Sequence, residues 1–165
     1  ELRSQPQSDS SNPNKICEAI SLHFNDPDIN CIYDTLFYIG NPKNDSSFVF
    51  AVGTIDISGK ATKFVDIFVS KGLTSFKRMT RDTLLTEDCV PCDDPREIIG
   101  IKVRKSKKTT RVTINCSYFY NRHQMAGTIY RSFVYDISFT PTTLHRNLDK
   151  ENKLRRAEIG EISGG

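Results

Sequence analysis

Apolar and polar residues alternate along much of the chain, with the two-residue period of strands that bury one face. The pattern is clearest in Ser47–Ile57 and Lys60–Ser70, which are separated by Ser58-Gly59. A short connection containing glycine is typical of a β-hairpin, because glycine accepts the positive φ of a tight turn. Pairing residues whose numbers sum to 117 places apolar side chains opposite one another, such as Phe50 and Ile67.

A second hairpin is predicted in the stretch IKVRKSKKTTRVTI, residues 101–114. A turn around Ser106-Lys107 pairs residues whose numbers sum to 213, so that Lys102 lies opposite Arg111 on the outward face. Like charges opposed across two strands cost up to about 1 kcal/mol, so this concentration of charge needs an explanation. The candidate ligand-binding residues are its six cations, which occur without any acid: Lys102, Arg104, Lys105, Lys107, Lys108 and Arg111.

Weaker alternation predicts further strands at residues 16–24 and 31–39, and another hairpin from residues 115–120 and 127–139. Residues 71–95 predict a short helix followed by a long loop. About seven strands joined by hairpins are typical of an antiparallel β-sandwich. The sequence therefore predicts an all-β fold, with a β-barrel as the alternative.

Three segments are predicted along the chain. Residues 1–14 have no apolar period and many turn formers, which indicates a flexible arm. Residues 15–141 are predicted to form the β-sandwich domain. Residues 142–165 are highly charged with sparse leucines, which indicates a charged tail or a short marginal helix.

The excess positive charge belongs to the second hairpin. Removing its six cations from the 23 basic residues of the chain leaves 17 against 20 acidic residues. A domain that coats nucleic acid is usually basic throughout, so composition gives this partner only modest support. A basic loop can bind phosphates, sulfated sugars or an acidic protein surface. The plainer alternative is a solvated tip whose lysines prevent sheets from pairing edge to edge.

Five cysteines are an odd number, so at least one thiol stays unpaired within the chain if the others are oxidised. Cys89 and Cys92 have the spacing of a redox pair or of half a zinc site. Four acids surround them and would raise the thiol pKa values, which argues against redox catalysis. No second pair has metal-ligand spacing, so a disulfide is favoured over a metal site. An extracellular location is favoured, with a reducing compartment as the alternative. The glycosylation sequons at Asn44 and Asn115 do not distinguish the two locations.

The sequence contains no catalytic motif: no nucleophile elbow and no glycine-rich phosphate loop are present. We therefore expect neither enzymatic activity nor a cofactor. No apolar run approaches the roughly 18 residues of a membrane-spanning helix, so membrane insertion is not expected. Alternation directs Tyr118 and Tyr120 to the core and leaves only Phe119 exposed, which argues against a platform that stacks single-stranded bases.

The favoured function is a non-enzymatic recognition domain, secreted or part of an ectodomain. It would bind a protein or an anionic polymer, such as a glycosaminoglycan or nucleic acid, through the hairpin tip and neighbouring loops such as residues 121–126. The alternative is a structural subunit of a viral shell or other large assembly, with the basic loop facing nucleic acid. The sequence leaves the identity of the ligand and the oligomeric state open.

Overall fold

The computed structural model describes residues 16–20, 33–57, 59–84 and 97–162, most of which lie in strands. The chain divides into two compact units between Leu85 and Thr86, and each unit contains one antiparallel sheet. The predicted all-β class, with two antiparallel sheets as in a β-sandwich, is confirmed. Both sheets are open along the described strands, so the barrel alternative is not adopted.

The N-terminal sheet has four strands in sequential order: β1 Tyr33–Gly40, β2 Ser46–Ile57, β3 Lys60–Lys71 and β4 Ser75–Thr83. The hairpin of β2 and β3 has the predicted register, with Phe50 opposite Ile67. Phe50 also stacks on Phe37 of β1, with 4.9 Å between the ring centroids. The register predicted from the alternating pattern and the short turn is therefore confirmed.

Residues 16–20 are helical (α1), where the sequence predicts a strand. Ile16 and Ile20 are four residues apart, which places both on one face of a helix but also fits the even spacing of a strand face. Both isoleucines are buried in an apolar cluster that includes Phe68 of β3. The strand prediction is wrong for this segment, and the arm predicted for residues 1–14 lies outside the described residues.

Ser75–Thr83 forms the strand β4, so the helix predicted in this region is wrong. Phe76 contacts Phe68 edge-on, with 6.2 Å between the ring centroids. A β-bulge at Met79 interrupts the pairing of β4 with β3, because Ile67 pairs with Thr80 and the next residue of β3 pairs with Arg78. The bulge breaks the two-residue period, which explains why the sequence pattern failed to indicate a strand.

The C-terminal unit contains five strands and a short helix among its described residues. They are β5 Glu97–Lys105, β6 Thr110–Arg122, β7 Met125–Phe139, β8 Thr142–Arg146, α2 Leu148–Lys153 and β9 Arg156–Glu161. Strands β5 to β8 follow one another in the sheet, and β9 pairs with the first half of β7. Residues 142–165 were predicted to form a charged tail or a short marginal helix; the structure contains the short helix, with one strand on each side of it. These strands are short and most of their residues are exposed, so the sequence shows little apolar alternation there.

The two faces of the C-terminal sheet differ in polarity. One face carries Val112, Ile114 and Phe133, all almost fully buried. The opposite face, which we call the polar face, carries charged residues of successive strands, among them Arg111 of β6 and Asp136 of β7. The candidate site lies on this polar face and on the turn between β5 and β6.

Candidate anion-binding site

The basic segment forms the predicted hairpin, with a register displaced by two residues. The sequence predicts that Lys102 lies opposite Arg111. In the structure, Arg104 lies opposite Arg111 instead. A displacement of two residues returns every side chain to its predicted face, because side chains alternate with a period of two. Lys102 and Arg104 therefore lie on the polar face, as expected, although the predicted partners are wrong.

The turn explains the displacement. The backbone N–H of Ser106 donates to the carbonyl of Thr109 at 2.8 Å, so the tip consists of Lys107 and Lys108. The Ser106 hydroxyl also donates to the Thr109 carbonyl at 2.9 Å and accepts from the Thr109 N–H at 3.3 Å. An apolar pattern of period two fits either turn equally well, so these local hydrogen bonds decide the register.

Five of the six predicted cations are exposed. Within the described part of the chain, none of the five makes an ion pair. Lys102 and Arg104 share the polar face. They are two residues apart on β5, which corresponds to about 6.6 Å at the rise of a strand. We call these five residues the hairpin cations: Lys102, Arg104, Lys105, Lys107 and Lys108.

Arg111, the sixth, is bound within its own sheet. Its Nε donates to Oδ1 of Asp136 at 2.8 Å, and its Nη2 donates to Oδ2 at 3.2 Å. The side-chain amide of Asn147 donates to the same carboxylate at 3.1 Å. The hydrogen bond from Arg111 lowers the pKa of Asp136 and outweighs the opposing effect of burial. The guanidinium of Arg111 is therefore already engaged by an acid of its own sheet.

The Arg111–Asp136 pair also accounts for the like charges opposed across the hairpin. Arg104 lies opposite Arg111 on one side, and Asp136 lies opposite Arg111 on the other. The carboxylate therefore offsets repulsion that would otherwise oppose the pairing of β5 with β6. Arg104, on β5, is then the cation nearest the edge of the sheet among these three residues.

The loop at residues 121–126 does not neighbour the hairpin tip. Strand β6 runs from Thr110 to Arg122, so the two turns lie at its opposite ends, about 40 Å apart at the rise of a strand. The expectation that both loops form one surface is wrong. The turn at Thr140-Pro141 between β7 and β8 is at the same end as the tip, since Thr110 pairs with Ile137 just before that turn.

The aromatic residues of β6 lie as predicted. Tyr118 is 4% exposed and Phe119 is 54% exposed. Phe119 is eight residues along the strand from Arg111, about 26 Å at the rise of a strand. A stack of bases on aromatic rings beside the hairpin cations is therefore not supported by these residues.

Cys89 and Cys92 lie outside the described residues, so their predicted disulfide or metal site stays a prediction. In the described part of the chain, Cys17 and Cys116 are buried and no disulfide is formed. That part also contains no group of three histidines, cysteines or acids that could hold a metal ion. Of the two sequon asparagines, Asn44 is exposed, whereas Asn115 is partly buried and accepts a hydrogen bond from Ser132.

A charged network in the N-terminal sheet was not predicted from the sequence. Asp66 is fully buried on β3, and Arg81 of β4 donates to both of its carboxylate oxygens at 2.6 and 2.7 Å. The hydroxyl of Tyr33 donates to Asp66 at 2.6 Å, and burial together with this hydrogen bond raises the pKa of Tyr33. Arg78 lies 3.5 Å from the same carboxylate. The sequence signal that could have indicated the network is Asp66 itself, an acid between apolar residues of a predicted strand, because a buried charge needs partners.

The β-bulge at Met79 makes this network possible. Residues three apart in a regular strand point to opposite faces. The extra residue places Arg78 opposite Phe68 and Arg81 opposite Asp66, so both guanidinium groups lie on one face. Arg81 also lies over the ring of Phe64, 4.6 Å from its centroid. The network satisfies a buried charge and so stabilises the sheet.

Comparisons with protein-family models, curated proteins and solved structures find no match to this chain. Within the described residues, no helix has the length and apolar character needed to cross a membrane.

Proposed function

We propose that this protein binds the backbone of duplex nucleic acid through the hairpin cations, without reading its sequence. The observation that carries the proposal is that five exposed cations lie close together and make no ion pair within the described residues. Lysine and arginine that bind phosphates release condensed counterions, and this release supplies most of the affinity of non-specific binding.

The surroundings of the hairpin favour a duplex over a single strand. Proteins that bind single strands without sequence preference combine cations with aromatic rings on which the bases stack. Here Tyr118 is buried, and the exposed Phe119 lies far along β6 from the tip. Contacts would therefore be confined to phosphates, which a duplex presents on its surface.

The spacing of the hairpin cations favours a nucleic acid over an acidic protein surface. Lys102 and Arg104 share a face about 6.6 Å apart. The phosphates of a duplex form a regular, closely spaced row along each strand, so neighbouring cations on one face can meet successive phosphates. An acidic protein surface has no such regular repeat.

Binding of a fluorescent duplex of roughly 20 base pairs, followed by anisotropy at low salt, tests the proposal. The variant Lys105→Ser, Lys107→Ser, Lys108→Ser should bind at least about tenfold more weakly than the unmodified protein. The matched control removes three exposed lysines of the N-terminal unit: Lys43→Ser, Lys71→Ser, Lys77→Ser. It makes the same change in net charge and should retain most of the affinity.

Equal losses in both variants would show a general effect of net charge and would overturn the proposal. Binding to heparin without binding to the duplex would also overturn it, and would identify a sulfated polysaccharide as the ligand. Supporting results are a selective loss in the hairpin variant and unchanged affinity when the sequence of the duplex is scrambled.

A further inference from the structure

A row of four residues crosses the polar face of the C-terminal sheet. Arg104 of β5 lies opposite Arg111 of β6, Arg111 opposite Asp136 of β7, and Asp136 opposite His145 of β8. Neighbouring strands are about 4.8 Å apart, so the row extends about 14 Å. These residues are far apart in the sequence, and only the pairing of the strands brings them into line.

The inner members of the row bind each other through hydrogen bonds in which the outer members do not share. Arg111 and Asp136 form the two hydrogen bonds described above. Arg104 and His145 are exposed, and within the described part of the chain neither side chain makes a hydrogen bond or an ion pair. The row therefore presents a cation at one end and an imidazole at the other, on the same face.

We infer that the proposed anion-binding surface extends to His145. The protonated imidazole binds a phosphate of the same nucleic-acid strand that Arg104 contacts. This inference rests on the proposed function. It also defines the ligand more closely: a separation of about 14 Å is greater than one phosphate group can span, so the ligand must carry several linked phosphates. A single phosphate or a mononucleotide cannot bridge the two ends.

The charges around His145 are consistent with a gain of positive charge on protonation. Asp136 faces it from β7, but this carboxylate already accepts hydrogen bonds from Arg111 and Asn147. Glu151 of α2 binds the guanidinium of Arg146 at 2.9 Å. After the larger effects of Arg111 and Asn147, the charge of His145 also contributes to lowering the pKa of Asp136. Because both acids are hydrogen-bonded to other groups, an imidazolium adds to the positive charge of the face.

The row contains one residue type, histidine, whose charge can respond to mild acidification. Histidine is the side chain that ordinarily gains a proton between about pH 8 and pH 5. Arg111 lowers the pKa of Asp136, so this carboxylate remains charged over the same range. Binding of a polyanion should therefore strengthen on acidification, and the number of phosphates contacted should rise by one.

The test is the salt dependence of duplex binding at about pH 8 and about pH 5.5, for the unmodified protein and two variants. The first variant is His145→Gln. The second, His123→Gln, is the matched control, because His123 is exposed in the turn between β6 and β7 at the other end of the sheet.

At the lower pH, the slope of log K against log salt should be steeper by about 0.9 in the unmodified protein, which corresponds to one added phosphate contact. His145→Gln should abolish this gain, and His123→Gln should retain it. A gain that survives in His145→Gln, or that is absent from the unmodified protein, overturns the role of His145 alone. No binding at either pH overturns the proposed function itself.

A competition experiment tests whether the ligand must be a polynucleotide. A deoxynucleoside monophosphate, supplied at the same phosphate concentration as an unlabelled duplex, should not displace the labelled duplex at the lower pH. Equal displacement by the two competitors would overturn the bridging of Arg104 and His145 by one ligand.

Discussion

Arg111 and Asp136 face each other across β6 and β7, with Nε of the guanidinium 2.8 Å from Oδ1 of the carboxylate. The pair engages one of the six predicted cations and places a negative charge on the polar face, which also carries Lys102 and Arg104. Both side chains are partly exposed, 37% for Arg111 and 21% for Asp136, so solvent weakens their attraction. The pair therefore stabilises the hairpin and limits the positive charge of the polar face.

The variant Asp136→Asn should bind a duplex more tightly and unfold more easily. Arg111 becomes available for a phosphate, which should steepen the salt slope by about 0.9. The loss of the charged hydrogen bonds should lower the free energy of unfolding by about 1 kcal/mol, after allowance for exposure. The control is Asp149→Asn on α2, which changes the net charge equally at an exposed position. An equal change of slope in both variants would contradict a local role for Asp136.

The same pair predicts a loss of stability in acid. The hydrogen bond from Arg111 holds the pKa of Asp136 below its usual range, and burial opposes this only in part. A carboxyl whose pKa is lower in the folded state stabilises the fold above its unfolded pKa. That contribution is lost as the pH falls through the folded pKa, so the relevant window lies below about pH 4.

Chemical unfolding between about pH 7 and pH 2.5 measures this effect. The unmodified protein should lose stability below about pH 4, and Arg111→Met should lose less over the same range. Burial raises the pKa of Asp34, but hydrogen bonds from Lys63 and Thr54 outweigh burial, so the net shift is downward. Asp34 therefore contributes equally in both proteins. Identical acid profiles would contradict the role given to Arg111.

The buried Asp66 predicts a marked difference between its two arginines. Arg81 donates two short hydrogen bonds to Asp66, and Arg78 lies at 3.5 Å. Arg81→Met leaves a fully buried carboxylate without its main partner and should cost about 3–5 kcal/mol of unfolding free energy. Arg78→Met removes the same charge from the same strand and should cost less than half as much. Equal costs, measured by denaturant titration, would show that charge alone matters.

Gly127 is required by the close approach of β9. A Cβ at this position would meet the carbonyl oxygen of Glu158, so Gly127→Ala should displace β9. We expect a loss of about 1–3 kcal/mol in unfolding free energy and faster amide hydrogen exchange in β9. Gly160→Ala in β9 is the control, because a Cβ there meets nothing within 4 Å. Similar destabilisation by both substitutions would contradict the steric argument.

The register of β2 and β3 could be predicted because two sources of information agree there. A long alternation limits the pairing to steps of two residues, and the turn at Gly59 selects one of them. In the basic hairpin, four polar residues could form the turn in more than one way. The faces were therefore predicted correctly, but the partners were displaced by two residues.

The partners of buried charges could not be predicted from local patterns. Asp136 binds an arginine 25 residues earlier, and Asp66 binds one 15 residues later, so both contacts depend on the order of the strands. The role of His145 depends on the same order. For residues 16–20, the spacing of two isoleucines fits a helix and a strand equally well, and packing against the sheet decides between them.

The central claim is that the hairpin cations bind the phosphates of a duplex, and its most direct test is the dependence of duplex affinity on salt at about pH 8. Five contacts predict a slope of log K against log salt of about −4.5, which the variant Lys105→Ser, Lys107→Ser, Lys108→Ser should reduce by about 2.7. The matched variant of Lys43, Lys71 and Lys77 should leave the slope unchanged. A slope near zero, or one that the hairpin substitutions do not alter, would contradict the claim.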